Sequence, residues 1–154
     1  MSDFVDLHPD SRTAGDHWLI QNGANSAVGT AVIQLAREWG VKTINLVRSR
    51  DNLTELETQL KELGATHVMT YDEFMRKETR SKVKEWIGKG SLRLALNCVG
   101  GKETTEMAKL LQLDGVLVTY GGMAKTALSL PPSLFIFKKL TSYLLCLVSH
   151  RRRG

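Results

Sequence analysis

The sequence predicts an α/β protein built on a doubly wound parallel sheet, and three observations carry that prediction. Apolar runs with strand character alternate with helical periodicity from His17 to Tyr120, in the order βαβαβαβαβ. The connections are only a few residues long, as right-handed crossovers between parallel strands require. The first strand also leads straight through small residues, Gly23 to Ala27, into a helix. A strand, a tight turn and a helix in that order present a helix N-terminus to a phosphate.

Taken in order, the first strand is expected at Trp18–Asn22 and the first helix at Ala27–Trp39. In that helix Ala31, Val32, Leu35, Ala36 and Trp39 recur at three- and four-residue spacings, and Gly40 stops it. Thr43, Ile44 and Val47 give β-branched character to a second strand, Lys42–Val47. Asp51 or Asn52 can cap a helix carrying Leu53, Leu56, Leu60 and Leu63, which Gly64 ends. A short strand, Thr66–Met69, precedes one polar surface helix from about Asp72 to Trp86. Leu92–Val99 is apolar almost throughout, as a strand buried on both faces should be. A helix at Thr104–Leu111 and a strand at Val116–Tyr120 follow. After Pro131-Pro132 the pattern allows a short helix at Ser133–Lys139, then a sixth strand at Leu140–Val148, at a sheet edge or a subunit interface.

At 154 residues the chain is long enough for one domain with a real core and too short for two. Its net charge of +5 owes three units to Arg151, Arg152 and Arg153, and no basic stripe interleaved with aromatics appears elsewhere, which argues against nucleic-acid binding. Cys98 and Cys146 are far apart and match neither a disulfide framework nor a zinc site, so no metal is expected. The apolar stretch Leu134–Val148 is interrupted by Lys138 and Lys139 and is too short to span a bilayer. His17 and His67 occupy strand positions and are assigned structural roles. The arginine ending is expected to be a disordered terminus in preference to an anchor for lipid or nucleic acid.

The chemistry gathers at three strand ends. The six positions Ala24-Asn25-Ser26-Ala27-Val28-Gly29 keep only the last glycine of the three-glycine dinucleotide fingerprint. Alanine and serine are still small enough for close backbone approach, Asn25 and Ser26 offer hydrogen bonds to a diphosphate, and Gly29 lets the helix pack on the strand. The second strand ends in Arg48-Ser49-Arg50, where an NAD-preferring site would place a carboxylate. Two guanidiniums flanking a hydroxyl suit a 2′-phosphate, so NADP(H) is the expected cofactor. Asn97-Cys98-Val99-Gly100-Gly101 and Tyr120-Gly121-Gly122-Met123 then place paired glycines at two further strand ends, where backbone can approach a cofactor.

NGANSAVG, INLVRSR, RLALNCVGGK and VTYGGMAK together resemble the medium-chain dehydrogenase/reductase superfamily, and more narrowly its mitochondrial 2-enoyl thioester reductases, the trans-2-enoyl-CoA reductases. The resemblance runs from about Asp3 to Lys139. It implies a Rossmann-type domain and an NADPH-dependent reduction of the 2,3 double bond of an enoyl thioester. The substrate would be carried on acyl carrier protein or CoA within mitochondrial fatty acid synthesis. It also implies a homodimer and a location in the matrix, although these residues include no targeting segment. Carried over by position, cofactor contacts fall on Asn25, Ser26, Ala27, Val28 and Gly29, on Arg48, Ser49 and Arg50, and on Tyr120, Gly121, Gly122 and Met123. No catalytic residue is assigned, because the family's proton-donating tyrosine belongs to an N-terminal GroES-like domain that has no counterpart here.

The chain departs from the family at Ala27, usually a glycine, and again after about Ser142, where Tyr143 to His150 replaces the expected Gly-Phe-Trp segment. The expected organisation is therefore a tail over residues 1–16, an NADP(H)-binding domain over 17–142, and a divergent tail over 143–154. Two functional readings stay open on these residues. One is the cofactor domain of an enoyl thioester reductase, active only with its catalytic half. The other is a non-catalytic binding or regulatory module of the same fold.

Overall fold

A computed structural model describes residues 16–145. Six strands, β1 (His17–Gln21), β2 (Lys42–Val47), β3 (His67–Thr70), β4 (Ser91–Asn97), β5 (Val116–Thr119) and β6 (Thr141–Leu144), form one sheet in the order β3-β2-β1-β4-β5-β6. Every neighbouring pair is parallel. Six helices connect them: α1 (Ala27–Glu38), α2 (Leu53–Leu63), α3 (Tyr71–Phe74), α4 (Lys77–Ile87), α5 (Lys102–Leu110) and α6 (Pro132–Lys138). The fold is the predicted α/β Rossmann type. Strand order reverses between β1 and β4, which makes their carboxyl ends the topological switch point.

Alternation along the strands sorts side chains onto two faces. Leu19, Leu94, Leu96, Val116 and Val118 pack against Val32 and Ala36 of α1, while Val47 joins Ile33, Leu56 and Leu60 beneath α1 and α2. Trp18, Ile20, Ile44, Leu92 and Ala95 face the other way, onto Phe74, Val83, Met107 and Leu134 of α3 to α6. In β4 the alternation is interrupted. Trp18 pairs with Leu92 but Leu19 pairs with Leu94, so Arg93 is an extra bulged residue. That bulge is why Leu92 and Ala95, three apart, share one face.

Helix α1 ends as its glycine predicts. Gly40 has φ +67°, and the Gly40 and Val41 N–H groups donate back to the carbonyls of Arg37 and Ala36 in a Schellman arrangement. At its other end α1 crosses the β1–α1 turn so closely that a Cβ on Gly29 would lie 2.6 Å from the carbonyl oxygens of Gly23 and Ala24. Gly29 is thus needed for contact, and Gly40 for its backbone angle.

The single polar helix expected over Asp72–Trp86 is two helices. The Thr70 hydroxyl accepts from the Glu73 N–H while the Glu73 carboxylate accepts from the Thr70 N–H, a capping box that starts α3. Arg76 is extended, with φ −69° and ψ 144°, and the Thr79 hydroxyl takes the Glu73 carbonyl, so α4 must begin afresh. The strand expected to reach Val99 leaves the sheet at Asn97, whose side chain captures the N–H groups of Val99 and Gly100. β6 lies at the sheet edge and extends to Leu144, across the expected boundary at Ser142. Cys146 to Val148, the arginine ending and the tail before Asp16 lie outside the described residues.

His67 has the structural role expected of it. Its ring stacks on Trp86 at 3.7 Å and on Trp18 at 5.8 Å, with Lys42 over Trp18 and Lys82 over Trp86. Burial, and then Lys61, Lys82 and Lys42, hold the His67 pKa below the ordinary histidine value.

Two predictions follow from this packing. Gly29→Ala costs about 2–3 kcal/mol because the clash is with backbone, whereas Gly40→Ala costs about 1 kcal/mol for its left-handed angle; urea unfolding measures both. A His67 pKa that is lower in the folded state means the unfolded chain binds more protons once pH falls below the ordinary histidine range. Stability is therefore full above that range and declines as pH drops through it. Unfolding midpoints at pH 7.5 and pH 5 will show a smaller loss in His67→Phe than in the wild type.

Candidate cofactor crevice at the switch point

The crevice is assembled from the carboxyl end of β1 outward. Gln21 is fully buried and donates from Nε2 to the Gly29 carbonyl and to Asn45 Oδ1, both at 2.9 Å. Asn45 in turn donates to Thr43 Oγ1 and to the His67 carbonyl. This ladder ties β3, β2 and β1 to the first turn of α1. Beyond Gln21, Asn22 donates to Asn97 Oδ1 at 2.8 Å and accepts from the Cys98 N–H at 2.8 Å. Asn97 Oδ1 also accepts from Thr104 Oγ1 and from the Val99 and Gly100 N–H groups. Two buried amides therefore bolt the β1–α1 turn to the β4–α5 turn.

Between these anchors the turn is compact. Gly23 has φ +58°, and a Cβ there would meet the Cys98 thiol at 2.5 Å. The Ser26 N–H donates to the Gly23 carbonyl, and the Ala24 N–H to Leu46. Ser26 then caps α1, its hydroxyl accepting from the Gly29 N–H at 3.1 Å. The N–H groups of Asn25, Ala27 and Val28 have no acceptor among the described residues, and all three residues are exposed. They stand at the positive end of a twelve-residue helix with no acidic residue in its first turn. The geometry suits an anion.

The other predicted segments surround this turn. Arg48, Ser49 and Arg50 follow β2 and are exposed, and neither guanidinium joins an ion pair among the described residues. After β5, Tyr120 is half-buried with its phenol oxygen beside Ser26 and Cys98, without a hydrogen bond of normal geometry. Burial and the neighbouring Cys98 thiol push this phenol well above the usual tyrosine range, so it stays protonated. Gly121 fits against the Cys98 backbone, where a Cβ would lie 3.2 Å from its carbonyl, while Gly122 faces open space. Met123 is exposed, but its N–H donates to the Cys98 carbonyl, so the loops after β4 and β5 run side by side.

The structure thus brings Asn25 to Gly29 and Tyr120 to Met123 to one crevice, through Ser26 and Tyr120. Arg48 stands at the end of β2, close enough to Tyr71 for its charge to act on the phenol, and Ser49 and Arg50 follow it. Three surface hollows of about 400, 580 and 580 Å³ lie elsewhere, beside Phe74 and Glu106, along His67 to Thr70, and around Ile87 and Leu111. Among the described residues no three His, Cys, Asp or Glu side chains converge to hold a metal. Sequence reasoning missed the Asn22–Asn97 pair and Tyr71. An amide ending each of two apolar strands was a signal for the first, whereas no local pattern announces the second.

A family model described as zinc-binding dehydrogenase matches residues 27–153. The mitochondrial enoyl-[acyl-carrier-protein] reductase of Schizosaccharomyces pombe is 49% identical over 124 residues, which is 80% of this chain and 33% of that protein. The human enzyme of the same name is 47% identical over 140 residues, 91% of this chain and 35% of its own. Among solved structures, the mitochondrial 2-enoyl thioester reductase Etr1p/Etr2p heterodimer from Candida tropicalis superposes with TM-score 0.82 at 44% identity, over 86% of this chain and 37% of that one. A complex of Etr1p with NADP and crotonyl-CoA gives TM-score 0.81 at 44% identity, over 85% and 36%. The chain spans about a third of the length of the relatives it matches. It belongs to the zinc-binding dehydrogenase family, in the group of the mitochondrial enoyl-[acyl-carrier-protein] reductases, and corresponds to their cofactor-binding domain.

Proposed function

We propose that this chain is the NADPH-binding half of an enoyl thioester reductase. The observation that carries the reading is the N-terminus of α1, where three N–H groups have no acceptor among the described residues, together with Arg48 and Arg50 after β2, which form no ion pair among those residues. Asn25, Ala27 and Val28 would offer their N–H groups to the diphosphate, with the Ser26 hydroxyl and the protonated Tyr120 phenol alongside. Arg48 and Arg50 would take the 2′-phosphate, with Ser49 between them. Gly121, Gly122 and Met123 would line the groove beyond Tyr120, and Gly29 keeps α1 close beneath the turn.

When bound, NADPH supplies the hydride that saturates the 2,3 double bond of an enoyl thioester on CoA or acyl carrier protein. The role of this chain is to bind and orient the cofactor within a mitochondrial enzyme. Self-association would use the β6 edge, where Tyr143 and Leu144 of the strand and Ile136 and Phe137 of α6 are exposed. The second reading is a non-catalytic NADP(H)-binding module of the same fold, which shares the cofactor assignment.

Titration of the chain with NADPH, followed by nicotinamide fluorescence, tests the cofactor assignment, and failure to bind below about millimolar would overturn it. Arg48→Ala will weaken NADPH about tenfold, the loss of a hydrogen-bonded charge contact, and leave NADH within about twofold. Oxidation of NADPH by crotonyl-CoA at 340 nm separates the two readings. The reductase-half reading expects turnover only when the catalytic half is supplied, and the binding-module reading expects none in either case.

A further inference from the structure

The crevice has a residue at its centre that comes from neither the turn nor the arginine loop. The phenol oxygen of Tyr71 accepts a hydrogen bond from the Gly23 N–H at 2.9 Å, across 48 positions of sequence. We propose that Tyr71 is a positioning residue of the nucleotide crevice, aimed by the four-residue helix α3 to hold the Gly23 N–H and so fix the turn that presents α1 to the cofactor. The inference rests on the NADPH-binding reading above and extends it to a residue outside the cofactor-contacting set.

The argument begins with the peptide between Asn22 and Gly23. Its carbonyl oxygen lies 3.7 Å from the Cys98 thiol, which donates to it, and its N–H points the other way, to Tyr71. Gly23 sits at φ +58°, and with no Cβ it has alternative backbone wells close at hand. What selects this well is the set of bonds at its two ends. The Gly23 carbonyl accepts from the Ser26 N–H and closes the turn, while among the described residues its own N–H is satisfied only by Tyr71. Removing the phenol oxygen leaves a partly buried donor with no acceptor, and a rotated peptide then becomes competitive. A rotated peptide would also carry Ser26, the cap of α1, out of place.

Several features of α3 serve that single contact. The Thr70–Glu73 capping box fixes the start of the helix immediately before Tyr71. Phe74 anchors its end in the core, and the Thr79 hydroxyl on the Glu73 carbonyl prevents it from merging with α4. The cap, one residue before Tyr71, fixes the point from which its side chain reaches the turn.

Because the Gly23 turn faces the diphosphate, common to both nucleotides, the loss of Tyr71 will affect NADPH and NADH alike. The test uses the 154-residue chain and its Tyr71→Phe variant, which keeps the ring in place. Dissociation constants for NADPH and NADH are expected to rise together, about five- to tenfold, for one lost hydrogen bond. Amide exchange at Gly23 is expected to accelerate by a similar factor while Leu19 and Ile44 keep their protection. Unchanged affinities, unchanged Gly23 exchange, or a loss confined to NADPH would each overturn the inference, the last by making Tyr71 a direct phosphate ligand. Wild-type chain that binds neither nucleotide defeats the functional reading itself. Wild-type chain that binds, with an unaltered variant, defeats only the role of Tyr71.

Discussion

At the switch point β1 and β4 lie side by side, but their chains depart in opposite directions, so the ladder between them stops at Asn22 and Asn97. Backbone donors just beyond that point are buried and still need acceptors, and each left unsatisfied would cost about 1–3 kcal/mol. Asn97 Oδ1 meets this need by accepting from Val99, Gly100, Thr104 and Asn22 at once. An oxygen with two lone pairs cannot take four full hydrogen bonds, so these donors share it in a compact cluster. Asn22 completes the clamp by accepting from Cys98. The shape of the crevice depends on this pair, since both of its walls hang from it.

The walls differ in what they present. The β1–α1 side offers unsatisfied N–H groups and a helix dipole, held in place by Gly29 and the Ser26 cap. The β4 and β5 side offers close-packed backbone around Cys98, with the Tyr120 phenol crossing to meet Ser26. Positive potential is therefore concentrated at one wall and at the arginine loop, while the opposite wall supplies shape. A ligand that suits this division is elongated and anionic at one end, as a dinucleotide phosphate is.

Farther out, the two edges of the sheet are finished differently. At β3 the strand is flanked by the Trp18–His67–Trp86 stack and its lysines, which place positive charge and aromatic surface at that edge. At β6 the strand and the neighbouring α6 expose Ile136, Phe137, Tyr143 and Leu144 together. Apolar side chains exposed near the edge of a sheet are costly to leave in water.

Most of the architecture was legible in the residues, because apolar periodicity and glycine stops are local signals. Gly40 and Gly64 end their helices, and the first five strands fall within a residue or two of their expected ends. The small residues before Gly29 and the arginines after β2 stood out for the same reason: chemistry and position were adjacent in the chain. Other features could not be read that way. The Arg93 bulge depends on the register of β4 against β1, and both faces of a buried strand are apolar, so composition does not reveal which way each leucine points. The division of α3 from α4 was obscured by a uniformly polar stretch, although the Thr70–Glu73 pair was visible within it. The amide clamp joins residues 75 apart and the Tyr71 contact joins residues 48 apart. Sequence alone determined which segments become strands, helices and the tight turn between β1 and α1, since those follow from local periodicity and sterics. Only the tertiary structure decided how that turn is held, because its hydrogen-bond partners come from strands and a helix that the chain reaches much later.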